Sequence, residues 1–145
     1  MFEQLLRVAT DRFRRLLTDR EGGAQSLREW FRNGDDPETR GVRLLREWLS
    51  PEQRAQYDAH RYFDVTGCDS GKRYRIHHGA SMNIQEIDGT GRPRVGWCFV
   101  PNTYLVAGDV MLAQKIALET DELGALDVAK KFVPKETQLN MFMHL

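Results

Sequence analysis

Three observations in the sequence predict an α+β fold. Apolar residues recur at helical spacing before residue 61, four short alternating segments separated by glycine turns run from Tyr62 to Val100, and an apolar-faced helix follows Gly108-Asp109. The expected architecture is one domain over residues 1–145, with N-terminal helices to residue 61, a four-stranded antiparallel β-meander over 62–107, and a C-terminal packing helix and tail over 108–145. A chain of 145 residues is long enough to bury a core without disulfides or a structural metal.

Phe2, Leu5, Leu6, Ala9, Phe13, Leu16 and Leu17 fall at helical spacing, with Arg7, Arg14 and Arg15 largely off the stripe, which predicts an amphipathic first helix packed on the domain. Gly22-Gly23 stops it. Gln25 to Phe31 reads as a short second helix before Asn33-Gly34-Asp35-Asp36-Pro37 breaks the chain. Asp36 then reads as an N-cap with Pro37 in the first turn, and Leu44, Leu45, Trp48 and Leu49 give the next helix its buried face. Ser50-Pro51-Glu52-Gln53 spells a capping box opening a helix to about His60. Leu27-Arg28-Glu29-Trp30 recurs as Leu45-Arg46-Glu47-Trp48, but the breakers between the copies exclude one continuous helix, and the likeness extends no further.

At Tyr62 the period changes to two. Phe63 and Val65 lie opposite Tyr62, Asp64 and Thr66, and Gly67 to Gly71 turns the chain into Arg73 to His78, where Tyr74, Ile76 and His78 share a face. Met82 to Ile87 forms a third strand, Asp88-Gly89-Thr90-Gly91 turns again, and Arg94 to Val100 aligns Val95, Trp97 and Phe99. Connections this short imply antiparallel neighbours. Asp109 is expected to cap a helix from Val110 to Leu118, which breaks near Thr120-Asp121 and continues toward Phe132 before Pro134.

Charge and cysteine usage narrow the function classes. The formal net charge is zero; residues 1–61 hold 12 Arg against 11 Asp plus Glu, and residues 108–145 hold 4 Lys against 6 acidic residues. Neither imbalance demands a polyanionic partner. Cys68 and Cys98 are too few for a secreted disulfide framework and fit a reducing cytosol. The N-terminus lacks a continuous apolar stretch, and no run approaches the roughly 18 apolar residues of a membrane span. A soluble cytoplasmic protein without a membrane partner is the expectation.

Cys68, His77, His78 and Cys98 have the residue types of a zinc site but not its close-paired spacing, and adjacent His77 and His78 in a strand point to opposite faces. No metal or cofactor is expected, and no catalytic residue is nominated. Cys98, between Trp97 and Phe99, reads as a buried thiol, Cys68 has no neighbouring base, and Asp121-Glu122 reads as a solvated helix start. The glycine pairs lie between strands, not between a strand and a helix, so they are turns and not phosphate loops.

Two candidate surfaces remain. Arg73, Arg75 and His77 occupy one strand face, Asn83 and Gln85 extend it, and Arg92 and Arg94 stand at the start of the next strand, together able to meet phosphates. The tail carries Leu139, Met141, Phe142, Met143 and Leu145, apolar enough either to pack back on the domain or to contact a partner.

Leu49-Ser50-Pro51-Glu52-Gln53-Arg54, Gly71-Lys72-Arg73-Tyr74-Arg75-Ile76 and Gly108-Asp109-Val110-Met111-Leu112-Ala113-Gln114-Lys115 together resemble small uncharacterised bacterial and phage-encoded proteins over residues 49–122, a resemblance that implies no activity. Trp97-Cys98, a loop and Gly108 to Leu118 also resemble the outline of the SWIM zinc finger, a β-hairpin plus helix. Of that family's Cys-x-Cys and Cys-x-His ligands only Cys98 is present, so the likeness is topological and implies no metal. The leading expectation is a non-enzymatic protein-interaction or regulatory module whose partner is another protein or a second copy. The alternatives are a nucleic-acid-binding protein using the basic sheet face, and a small enzyme built on Cys68 or His77.

Overall fold

A computed structural model of the chain describes residues 36–99 and 104–137. The helices expected at Phe2–Leu17 and Gln25–Phe31 and the tail from Leu139 lie outside the described residues. Helix α1 spans Pro37–Trp48, and Asp36 accepts a hydrogen bond from the Thr39 backbone N–H at 3.1 Å, so the N-cap forms as its sequence dictates. Helix α2 spans Pro51–His60 behind a full capping box, in which Ser50 Oγ accepts from Gln53 N–H and Gln53 Oε1 accepts from Ser50 N–H, each at 3.1 Å.

Strands β1 (Tyr62–Thr66), β2 (Arg73–His77), β3 (Ile84–Ile87) and β4 (Pro93–Cys98) form the antiparallel meander, followed by α3 (Ala107–Thr120) and α4 (Glu122–Val128). The sheet has a fifth strand, β5 (Lys130–Phe132), antiparallel to β4, giving the order β1-β2-β3-β4-β5. The expected helix through Phe132 is therefore corrected. Helix α4 ends at Val128, Ala129 is extended, and the chain returns to the sheet. A packing contact decides this: the Phe132 ring lies on Gly96, where a β-carbon would come within 2.3 Å of it. Packing of the partly buried Phe132 ring on bare backbone outweighs the weak strand propensity of Lys130-Lys131.

Asp109 is also corrected. Helix α3 begins at Ala107 with Val106 at the N-cap and no side-chain cap, which places Asp109 inside the first turn. Gly108 must lie within the helix because α1 and α3 cross backbone to backbone; a β-carbon on Gly108 would lie 2.2 Å from the backbone carbon of Gly41. The core sits between α3 and the inner sheet face. Phe63, Val65, Tyr74, Ile76, Ile84 and Trp97 meet Met111, Leu112 and Leu118, with Leu45 of α1, Leu49 just past its end and Tyr57 of α2 closing the sides. Each fully buried aliphatic or Phe side chain there contributes about 1.5–3 kcal/mol relative to exposure. Among the described residues no helix is long and apolar enough to cross a membrane.

Candidate functional site

Strand alternation buries Phe63, Val65, Tyr74 and Ile76 beneath α3 and so turns Tyr62, Asp64, Thr66, Arg73, Arg75 and His77 to the opposite, outer face. The register sets Asp64 against Arg75, Thr66 against Arg73 and Tyr62 against His77. Asp64 accepts from Arg75 Nε at 2.8 Å, from Arg75 Nη2 at 3.1 Å and from Arg73 Nη2 at 2.8 Å. The Arg75 guanidinium also lies 4.0 Å from the centre of the Tyr62 ring. That ring stacks on His60 at 5.2 Å and meets His77 edge-on at 5.5 Å, while His77 Nε2 donates to Gln85 Oε1 at 2.9 Å. One connected lattice therefore spans α2, β1, β2 and β3.

Burial pushes the Asp64 carboxyl up, but the hydrogen bonds and charges of Arg75 and then Arg73 outweigh it and hold the group below its ordinary range. The hydrogen bond to Asp64 raises Arg75 in turn. The outer edge of β1 is closed at the same residue. Asp64 N–H donates to Gln56 Oε1 and Asp64 C=O accepts from Gln53 Nε2, both at 2.9 Å, so two α2 glutamines replace a neighbouring strand. Among the described residues, the β1 edge at Asp64 is therefore occupied by α2.

Of the residues nominated from sequence, Arg73, Arg75, His77 and Gln85 come together on this face. Asn83 does not join them. Met82 adopts φ 50°, β3 begins only at Ile84, and the buried Asn83 amide turns inward. Its Nδ2 donates to Gln114 Oε1 at 2.8 Å, to His77 O at 3.1 Å and to Gly79 O at 3.2 Å, while Gln114 Nε2 donates back to Asn83 Oδ1 at 2.9 Å. Arg92 is exposed in the β3–β4 turn, and Arg94 pairs with Asp88 at 3.0 Å. The spacing of basic residues alone misses Tyr62 and Asp64, which organise the face. Their alternation with Phe63 and Val65 was the signal that could have found them.

A second polar cluster lies at the other end of β2. Glu122, read from sequence as part of a solvated helix start, is 0 % exposed. It accepts from Asp69 N–H at 2.8 Å, Ser70 N–H at 2.7 Å, Tyr74 OH at 2.6 Å and the Ser70 hydroxyl. Burial pushes this carboxyl up, but those donors outweigh it and leave it at about 2, while burial and then Glu122 push the Tyr74 phenol well above its usual range. Cys68 is exposed beside it, its Sγ 3.5 Å from Asp69 Oδ2 and accepting from Glu122 N–H at 3.4 Å. Ligand-type atoms of Cys68, Asp69 and Glu122 lie within 4.8 Å of one another, yet the Glu122 oxygens already accept four hydrogen bonds. The chemistry is that of a loop clamp, with the carboxylate as the internal ligand of the β1–β2 turn.

The zinc-type residues considered from sequence are dispersed. Cys68 lies beside Glu122, and His77 lies at the far end of β2 on the outer face. His78 Nδ1 lies 2.9 Å from Tyr57 OH and 3.3 Å from Arg61 Nη2, and Cys98 pairs with Lys130 across β4 and β5. Because Arg61 can only donate, His78 Nδ1 is the acceptor, and burial with Arg61 holds that imidazole below its ordinary pKa. An open groove of about 350 Å³ between α1 and α2 is lined by Thr39, Val42, Arg43, Arg46, Glu47 and Arg54. Two of its guanidinium groups are engaged in the fold, Arg46 with Asp58 at 2.9 Å and Arg54 Nε with the Arg46 carbonyl at 3.1 Å. No family model, curated protein or solved structure matches the chain.

Proposed function

We propose that this chain is a non-enzymatic protein-interaction module that engages its partner through the outer face of the sheet. The observation that supports the reading is the lattice of Asp64, Arg73, Arg75, Tyr62 and His60, which holds long side chains in place before a partner arrives. Fixing such side chains in advance lowers the ordering cost of association, and Arg and Tyr are the residue types that dominate interface energetics. Nucleic-acid binding is the second reading, motivated by Arg73 and Arg75. Both guanidinium groups share Asp64, and the Tyr62 ring already stacks on His60 and contacts Arg75, which leaves base stacking less room. Free Cys68 and Cys98 suit a module working in the cytoplasm.

Side-by-side capture on the immobilised chain and on Tyr62→Ala with Arg73→Ala tests the reading. A protein retained by the parent and lost from the variant, with the variant's circular dichroism unchanged, is the expected result. Identical recovery on both surfaces, or salt-sensitive retention of nucleic acid alone, contradicts it.

A further inference from the structure

The four ion pairs of the meander are built asymmetrically. Arg73, Lys72 and Arg94 have side chains 46, 55 and 67 % exposed, whereas their partners Asp64, Glu86 and Asp88 are 9, 16 and 21 % exposed. In the fourth pair Arg75 is again more exposed than Asp64. Residues 62–99 carry five cations against four carboxylates, a near balance that conceals the geometry. Asp64 and Asp88 are recessed while Arg73 and Arg94 face solvent, so these two pairs present positive charge outward from a chain whose formal charge is zero. Glu86 stands in register with inward-facing Tyr74, and the fourth carboxylate, Asp69, is exposed in the β1–β2 turn. A recessed carboxylate also fixes its cation: Arg73 spends Nη2 on Asp64 and Arg94 spends Nη2 on Asp88, leaving their other N–H groups for a second acceptor.

From this asymmetry we infer that the partner segment is acidic, an extended peptide whose carboxylates bridge Arg73 and Arg94. The inference rests on the outer face being the interaction surface. The register sets Arg73 beside Ile87 and Ile87 beside Pro93, so Arg94 stands about two strand spacings, roughly 10 Å, from Arg73. Carboxylates on alternate residues of an extended peptide lie about 7 Å apart and are carried on flexible side chains, so they span that separation. A nucleic-acid strand fits less well. The ring that would receive a base is already stacked on His60.

The test uses the full chain and a fluorescent short peptide of alternating Glu and Ser, with a Lys-Ser peptide and a thymidine oligonucleotide of equal charge magnitude as the other arms. The acidic peptide should bind, weaken about tenfold or more between low and physiological salt, and lose binding in Arg73→Gln with Arg94→Gln. Arg73→Lys with Arg94→Lys should retain much of it, which separates loss of charge from loss of structure. Tighter binding of the oligonucleotide, or acidic-peptide binding unchanged in the Gln variant, overturns the inference. Random-peptide display on the parent chain and on Tyr62→Ala separates this failure from that of the interaction reading. Neutral or basic peptides that depend on Tyr62 overturn the acidic partner alone, acidic ones support it, and no Tyr62-dependent peptide overturns both.

Discussion

The Arg75 guanidinium lies 4.0 Å from the centre of the Tyr62 ring, while the same group forks onto Asp64. A planar guanidinium satisfies both contacts at once, and an ammonium cannot. Arg75→Lys should therefore destabilise the fold by about 1–2 kcal/mol although charge is kept. Chemical denaturation in a double-mutant cycle with Asp64→Asn checks this; additive costs would mean that the pair is not coupled.

The Glu122 cluster governs behaviour in acid. Its carboxyl is held at about 2, below the ordinary carboxylate range, so its contribution is fully present above that range and is lost as pH falls through about 2. Asp64 is shifted in the same direction. Glu122→Gln should cost about 3 kcal/mol at neutral pH, because buried donors then face an amide, and should flatten the acid dependence of the urea midpoint. An unchanged slope between the two proteins would count against the clamp.

The α1–α3 crossing leaves no room at Gly108. Gly108→Ala raises intrinsic helix propensity yet should lower stability by about 2 kcal/mol or more, since the new methyl meets the Gly41 backbone and not a side chain that can move. Thermal unfolding reads the sign directly. A gain in melting temperature would show that the two helices separate freely.

Asn83 and Gln114 exchange two hydrogen bonds in the core. Asn83→Ala should cost about 2–3 kcal/mol and Gln114→Ala a similar amount, with the double variant well short of the sum, because each single change orphans the other amide. Strictly additive losses would contradict the pairing.

Much of the fold was legible because its signals are local. Asp36-Pro37 and Ser50-Pro51-Glu52-Gln53 state two helix starts within a few residues, and the alternation from Tyr62 to Phe99 states the meander. What escaped was decided across the chain. β5 is three residues long and forms because Phe132 finds Gly96, while Glu122 is buried by Ser70 and Tyr74, 52 and 48 residues away. Extending the strand alternation puts Asn83 on the outer face, but the left-handed Met82 interrupts that alternation. Arginine spacing alone shows only the basic half of the candidate face; the carboxylate that organises it, Asp64, stands in the same alternation.

A photo-crosslinking residue in place of Thr66, exposed on the outer face opposite Arg73, tests the interaction face most directly when compared with the same residue in place of Ala59, exposed on α2. The account predicts discrete protein adducts from position 66 that disappear in Tyr62→Ala, and none of them from position 59. Equal adducts from both positions, or adducts from position 59 alone, would contradict the assignment of the outer sheet face as the interaction surface.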